Sequence, residues 1–262
     1  GVACGLKKDG RKDLGLIVSD GPASVAGVFT RNRVKAAPVR LCESRVAGGT
    51  CRALIVNSGN ANCATGADGY GRAEEMARLG GQAVGITPES VLVASTGVIG
   101  EPLPVERIQA AVPALADELR PDGFGDLARA IMTTDTVPKG KVVTGEVDGK
   151  TFTVAAVAKG AGMIRPDMAT MLAFVCTDVA AEPAMLKQML RVSCDRSFNR
   201  ISIDGDTSTN DTVLLMANGI SGVALDSDPA RTAFQSVLDE ILLALARQLV
   251  KDGEGVTKVV EV

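Results

Sequence analysis

Histidine is absent from this 262-residue chain. Its absence excludes a Ser-His-Asp triad, a Cys-His pair and every zinc site that depends on histidine within the chain. Any acyl chemistry here must therefore use a lysine, a carboxylate or an α-amino group as its base.

Aromatic residues are scarce, at 3% with no tryptophan, so aliphatic side chains and methionine must fill the core. No apolar run approaches the roughly 20 residues that span a bilayer. Gly1 is not followed by a basic and then apolar leader, which predicts no secretory signal. A net charge of -3 gives no electrostatic reason to expect nucleic acid. We expect a cytoplasmic protein that binds neither nucleic acid nor membrane.

Paired cysteine motifs are missing too, because none of the six cysteines forms a C-x-x-C pair. This spacing favours reduced, buried thiols over a disulfide framework and predicts no structural zinc. The cysteines are Cys4, Cys42, Cys51, Cys63, Cys176 and Cys194.

What is present alternates between short β-rich runs and longer helical patterns, which predicts a mixed α/β fold. The clearest helix is predicted to start with Asp228 as N-cap and Pro229 in the first turn, and to end at Gly253. A hairpin is predicted around Asp148-Gly149. The predicted strands are Leu14–Ser19, Ala26–Thr30, Ala53–Asn57, Val91–Thr96, Lys141–Val147, Thr151–Val157, Met171–Val179, Ile201–Asp204, Thr212–Met216 and Lys258–Val262.

Two apparent ligand motifs fail on their context. Gly149-Lys150-Thr151 resembles the end of a phosphate-binding loop, but strand patterns flank it and no helix follows. Asp204, Asp206 and Asp211 lack the order of ligands of a calcium loop. A turn that binds its own backbone explains this segment better than a metal site.

The segment from Lys159 to Leu172 is more informative. A glycine-rich stretch containing Pro166 leads into a strongly apolar strand, and Thr170 stands at the junction. Ser95-Thr96-Gly97 lies at the end of another predicted strand. In a chain without histidine, this combination suggests a threonine nucleophile and an oxyanion-binding pair.

These segments resemble the ornithine acetyltransferase family, which comprises the self-cleaving glutamate N-acetyltransferases of arginine biosynthesis. The resemblance runs along essentially the whole chain in a fixed order. The matching segments are Gly10–Leu14, Ala26–Thr30, Val34–Pro38, Asn57–Asn62, Ser95–Gly100, Thr133–Thr136, Lys159–Leu172, Ser197–Asn199, Asp204–Asp211 and Asp252–Gly255.

The resemblance implies a role for each matching residue. Thr170 is the expected nucleophile, and the bond between Ala169 and Thr170 the expected cleavage site. Thr96 and Gly97 match the oxyanion-binding pair. The expected substrate-binding residues are Thr133, Lys159, Thr170 and Glu254. No metal or cofactor is implied.

It also implies an N-terminal-nucleophile-like fold of mixed sheets layered with helices. Residues 1–169 would form an α chain and residues 170–262 a β chain, in a heterotetramer of two of each. A further C-terminal part of the family, with an Asn and a Thr at binding positions, lies outside this sequence.

The implied reaction moves acetyl from N-acetylornithine to glutamate through acetyl-threonine. Whether acetyl-CoA is a second donor stays open. The alternatives are an N-terminal-nucleophile amidohydrolase or aminopeptidase, and a non-catalytic assembly fragment.

Overall fold

Residues 1–165 and 171–262 are described by a computed structural model, in which one seven-stranded sheet carries six α-helices. The strand order is β3-β2-β1-β7-β6-β5-β4. The strands are β1 (Leu14–Phe29), β2 (Thr50–Asn60), β3 (Val91–Val98), β4 (Lys139–Val147), β5 (Lys150–Lys159), β6 (Leu172–Thr177) and β7 (Thr212–Ala217). The helices are α1 (Ala37–Val46), α2 (Gly66–Val84), α3 (Val105–Asp117), α4 (Phe124–Ile131), α5 (Pro183–Arg196) and α6 (Asp228–Lys251), with 3₁₀ turns at Pro88–Ser90 and Phe198–Arg200.

Strand β1 belongs to both halves of the sheet. Its first part pairs with β2, its second part pairs with β7, and the register with β2 shifts between Val18 and Ala23. Extra residues in one strand bend it and increase its twist. Inward side chains of the two halves meet in a single apolar cluster, with Leu54 and Leu92 from one half and Phe174 and Leu214 from the other. The sheet therefore folds over itself, and its two halves face each other.

Helices cover the outer faces of both halves. Helices α2 and α3 pack on β1, β2 and β3 through residues such as Met76 and Ile108. Helices α5 and α6 pack on β5, β6 and β7 through residues such as Leu190 and Phe234. Helix α4 adds Leu127 to the cluster between the halves. The predicted mixed α/β fold with layered helices is confirmed.

The hairpin and the long helix form where local sequence predicts them. Asp148 and Gly149 join β4 to β5 with φ angles of 51° and 75°. A two-residue turn with positive φ at both positions matches the twist of antiparallel strands. Helix α6 begins one position earlier than predicted, because Ser227 is the N-cap and accepts a hydrogen bond from the amide of Ala230 (3.3 Å).

Other local predictions are wrong. Ile201–Asp204 is a loop, since the Ile203 amide bonds to the Ile164 carbonyl and joins no strand ladder. Residues 258–262 are exposed and form no strand. Leu14–Ser19 and Ala26–Thr30 lie in one strand rather than two. Helical patterns near Gly71–Val84, Val105–Leu119 and Pro183–Cys194 predict α2, α3 and α5, whereas helices α1 and α4 were not predicted.

All six cysteines are free thiols. None of the helices in the described parts of the chain combines the length and apolar character needed to cross a bilayer. Within those same residues no group of histidine, cysteine and carboxylate side chains is arranged to hold a metal ion.

Candidate active site

Several strand ends meet at one edge of the folded sheet. Lys159 at the end of β5 donates from Nζ to Oγ1 of Thr96 near the end of β3 (3.4 Å). Asn210, just before β7, donates from Nδ2 to the carbonyl of Ser95 (2.8 Å). These contacts bring together residues 63 and 115 positions apart in the sequence. The edge collects polar groups from both halves of the sheet.

Gly97 occupies a backbone position that only glycine fits. Its φ is +133°, and a Cβ at this position would lie 2.3 Å from the backbone carbon of Gly59. The close approach arises because β2 and β3 are parallel neighbours whose register shifts at Gly59 and Asn60. The sequence Thr96-Gly97 is thus held rigidly against the end of β2.

A network of buried hydrogen bonds also holds the end of β3 in place. Ser95 donates from Oγ to Oδ1 of Asn57 (2.6 Å), and Asn57 donates from Nδ2 to the carbonyl of Asn60 (2.8 Å). Asn210 also donates to the carbonyl of Ala61 (2.7 Å). Satisfied buried polar networks rigidify a site. The segments Asn57–Asn62, Ser95–Gly100 and Asp204–Asp211 therefore support one another.

Lys159 is a buried cation at this edge, with only 3% of its surface exposed. Burial lowers the pKa of its ammonium, and the carboxylate of Asp135 opposes that shift. Desolvation of a cation favours an anionic ligand beside it. The ammonium and the hydroxyl of Thr96 form a donor-rich corner.

A second buried lysine, Lys139, is neutralised by two carboxylates. Its Nζ lies 2.7 Å from Oδ1 of Asp135 and also pairs with Oδ2 of Asp252. Asp135 accepts from the amides of Gly160 (2.7 Å) and Thr133 (3.0 Å). These bonds tie the start of β4, the end of β5 and the end of α6 to one point.

The charges of this network lower the pKa values of its two carboxylates. Burial alone would raise the pKa of Asp135, but the charges of Lys159 and Lys139 outweigh it and hold that pKa below its ordinary value. The pKa of Asp252 is likewise low, because bonds from Lys139 and Thr136 outweigh desolvation. Both side chains are therefore anions near neutral pH.

Removing the charge of Lys139 is expected to destabilise the fold strongly. Lys139→Met removes a fully buried ammonium from its two carboxylate partners, and breaking a buried ion pair should cost about 3–5 kcal/mol of unfolding free energy. Urea unfolding measures the loss. Because both carboxylates have lowered pKa values, the loss of stability is present above their ordinary pKa of about 4 and diminishes as pH falls through the lowered values.

Lys141→Met is the matched control for that measurement. It lies on the same strand and pairs with Glu240 (2.7 Å) at the surface, where both side chains are partly exposed. Surface pairs contribute about 0–1 kcal/mol. Equal losses in the two variants would contradict the importance of the buried network.

The remaining predicted binding residues lie around this network. Thr133 is half-buried next to Asp135. Glu254 is exposed, its amide bonds to the carbonyl of Ala161 (2.7 Å), and a Cβ on Gly162 would come within 2.9 Å of its Oε1. The charge of Glu254 also acts on the pKa of Lys159. The structure thus brings Thr96, Gly97, Lys159 and Glu254 to one region, with Thr133 linked to it through Asp135.

Ala169 and Thr170, the predicted cleavage site and nucleophile, lie outside the described residues. Their C-terminal neighbour Met171 is described, and its amide donates to Oδ1 of Asp211 (3.0 Å). The predictions for residues 169 and 170 therefore stay predictions.

Sequence reasoning missed four charged residues at this edge, three of them buried and the fourth, Asp252, partly buried. Asp135 stands inside the Thr-rich segment Thr133–Thr136 and Asp252 beside Glu254, so their segments were noticed but not their charges. Asp211 was read as part of a self-supporting turn. Lys139 carried no signal, because nothing local distinguishes a buried lysine from an exposed one.

Comparison with known proteins finds relatives of one family along the whole chain. The profile of the ArgJ family matches residues 1–262. The arginine biosynthesis bifunctional protein ArgJ of Geobacter sulfurreducens is 52% identical over 263 residues, which cover 100% of this chain and 67% of that protein. ArgJ of Symbiobacterium thermophilum is 51% identical, over 97% of this chain and 63% of that protein. The chain spans about two thirds of the length of these curated relatives.

Solved structures give the same family and fold. ArgJ of Bacillus halodurans aligns with a TM-score of 0.58 and 43% identity, over 64% of this chain and 88% of that one. The ornithine acetyltransferase of Mycobacterium tuberculosis, solved with ornithine, aligns with a TM-score of 0.57 and 38% identity, over 63% and 89%.

A more distant structure shares the fold alone. The L-aminopeptidase D-Ala-esterase/amidase of Ochrobactrum anthropi, described as a variant of the Ntn hydrolase fold, aligns with a TM-score of 0.52 at 12% identity, over 93% of this chain and 74% of that one. The predicted N-terminal-nucleophile-like fold is confirmed. With its whole length matched by the family profile and half its residues identical to curated members, this chain belongs to the ArgJ family.

Proposed function

We propose that this chain is the larger part of an acetyltransferase that moves acetyl from N-acetylornithine to glutamate through an ester on Thr170. The observation that carries the proposal is the pairing of buried Lys159 with Thr96, beside the glycine-only position of Gly97. This corner offers fixed donors at the edge of the sheet where Met171, the residue after Thr170, is anchored. Family membership supplies the reaction class.

Self-cleavage comes first in this proposal. Oγ of Thr170 attacks the carbonyl carbon of Ala169, the C–N bond breaks, and an ester replaces the amide. Water then hydrolyses the ester, leaving residues 1–169 as an α chain and residues 170–262 in a β chain. The new α-amino group of Thr170 has an ordinary pKa of about 7.7–8.0, so it can accept a proton near neutral pH without histidine.

Acetyl transfer reuses the same hydroxyl. Oγ attacks the acetyl carbonyl carbon of N-acetylornithine, its proton passes through the α-amino group to the leaving amine, and ornithine departs. The amine of glutamate then attacks the acetyl ester, and Oγ regains its proton. In both halves the negative oxygen needs fixed donors, a role we assign to the Thr96 hydroxyl and the Gly97 amide.

Charge complementarity assigns the remaining contacts. Lys159 is the cation suited to a substrate carboxylate, and Glu254 the anion suited to the side-chain amine of ornithine. Thr133 adds a hydroxyl held beside Asp135. The mature enzyme in this proposal is a heterotetramer of two α and two β chains, and acetyl-CoA is a donor to be tested alongside N-acetylornithine.

The decisive test combines intact mass with product analysis on the full-length protein. We expect two fragments that divide at Thr170, and acetylglutamate formed from N-acetylornithine and glutamate. Release of free acetate without acetylglutamate would instead support an amidohydrolase or aminopeptidase. An uncleaved protein with neither product would support a non-catalytic role.

Thr96→Ala is expected to act on the transition state. Loss of one oxyanion donor lowers kcat by about 100- to 1,000-fold, with little change in KM. Steady-state kinetics measure both. Thr133→Ala is the matched control, because loss of a binding hydroxyl should raise KM more than it lowers kcat. A large rise in KM at unchanged kcat for Thr96→Ala would assign Thr96 to substrate binding.

A further inference from the structure

Asp211 is a fully buried carboxyl group that binds the residue after the proposed nucleophile. None of its surface is exposed. Its Oδ1 accepts from the amide of Met171 (3.0 Å), and its own carbonyl accepts from the amide of Thr30 (3.0 Å). Met171 is peptide-bonded to Thr170, so the carboxyl group is anchored one residue from the hydroxyl that must react.

The other oxygen of this carboxyl group is unsatisfied. Oδ2 of Asp211 is buried and has no hydrogen-bond partner among the described residues. A buried polar atom without a partner costs about 1–3 kcal/mol, and a charged one more. In native proteins, buried polar groups without a partner are rare, and groups with strongly shifted pKa values cluster at functional sites.

The surroundings tune this group towards proton transfer near neutrality. Burial raises the pKa of Asp211 to about 8, although the Met171 amide, the Ser208 hydroxyl and the charge of Lys159 oppose the rise. Among the described residues, the charge of Lys159 at the end of β5 acts on it. The charges of Asp135, Lys139 and Glu254 act in turn on Lys159.

Self-cleavage needs a base that mature catalysis does not. Before the bond breaks, the nitrogen of Thr170 is an amide and cannot accept a proton, yet the hydroxyl still needs a base. The chain has no histidine to serve. The Nζ of Lys159 already donates to Oγ1 of Thr96. Asp211 carries the free acceptor.

We propose, on the basis of the function proposed above, that Asp211 is the proton acceptor for self-cleavage. Oδ2 takes the proton of the Thr170 hydroxyl as Oγ bonds to the carbonyl carbon of Ala169. The carboxyl group then gives that proton to the nitrogen as the C–N bond breaks. After cleavage the α-amino group takes over as base, so Asp211 matters less for acetyl transfer.

Asp211→Asn tests this assignment while conserving shape and the acceptor for the Met171 amide. Full-length protein is pulse-labelled in cell-free translation, and cleavage is followed on denaturing gels across a pH series that brackets 8. We expect cleavage at least about 100-fold slower in the variant. The acetyl-transfer rate per cleaved chain should fall less than the cleavage rate.

The pH profile separates a proton acceptor from a structural support. The acceptor is the carboxylate, which forms as pH rises, so the wild-type cleavage rate should climb through about pH 8 and then level. Asp211→Asn should lose this rise. A wild-type rate that does not change through this range would overturn the proposal without any variant, whether or not the variant folds.

Asp204→Asn is the matched control. Asp204 is an exposed carboxylate that accepts from the amides of Met163 and Ile164 (2.9 Å for Ile164), on the upstream side of the same segment. We expect it to cleave at close to the wild-type rate. If Asp204→Asn slows cleavage as much as Asp211→Asn, both residues merely hold the segment, and the proposal fails.

The outcomes also separate this proposal from the proposed function. If the Asp211→Asn protein cleaves at the wild-type rate and with an unchanged pH profile, only the role of Asp211 is overturned. Cleavage by a chain that lacks the Thr170 hydroxyl would overturn the function itself.

Discussion

Thr170→Ala should abolish both self-cleavage and acetyl transfer. The proposed mechanism gives one hydroxyl two tasks, and no histidine-based nucleophile exists in the chain to replace it. The full-length variant should run as a single band on a denaturing gel and form no acetylglutamate above background. Because strand β6 begins at Leu172, after the substituted position, the thermal melt should show that the variant still folds.

Thr170→Ser is the control for this prediction. Serine keeps a hydroxyl at the same position, so it should still cleave and still transfer acetyl, though at altered rates. A Thr170→Ala protein that appears as two fragments would remove Thr170 from the cleavage reaction. Loss of both activities in Thr170→Ser as well would mean that the methyl group, and not the hydroxyl alone, is essential.

Incubation with N-acetylornithine alone should place one acetyl group on the fragment that begins at Thr170. The donor product leaves before the acceptor binds if the acetyl group rests on the enzyme, so the kinetics should be ping-pong. Intact mass of the separated fragments detects the adduct, and addition of glutamate should remove it. The experiment uses the full-length protein, because the chain spans only about two thirds of its curated relatives.

Thr96→Ala supplies the comparison for the adduct. A weakened oxyanion site slows formation of the ester and its breakdown alike. The variant should therefore acquire the acetyl group slowly while keeping the same site of attachment. Intersecting double-reciprocal plots, with no acetylated fragment at any time, would show direct transfer in a ternary complex and exclude the covalent role of Thr170.

Local features of the fold could be predicted from the sequence because neighbours along the chain decide them. Asp148-Gly149 supplies the two positive φ angles of a tight hairpin, so the β4–β5 turn was predictable. Helix α6 was predictable from its apolar spacing and Pro229, and only its cap moved by one residue to Ser227. The failed strand at Ile201–Asp204 has strand-like residues, but its backbone bonds to a distant loop.

The aspartates of Asp204–Asp211 illustrate the limit of local reasoning about the site. Asp204 does bind its own turn, since its Oδ1 accepts from the amide of Asp206 (3.1 Å). Asp211 looks equivalent in the sequence but enters the interior and bonds to Met171, 40 residues away. Composition alone cannot separate an exposed aspartate from a buried one, because burial depends on what packs over it.

The sequence by itself determined the absence of histidine chemistry, the mixed α/β class, the family resemblance and the residues expected to react. Each of these depends on residue identity or on short-range backbone geometry. The tertiary structure alone decided that β1 folds the sheet over itself, and that Lys139 pairs with Asp252, 113 positions away, as well as with Asp135. It also decided that Lys159 and Asp211 are desolvated. Their pKa values and partners follow from packing between distant segments, where a charge loses water and must find its compensation elsewhere in the chain.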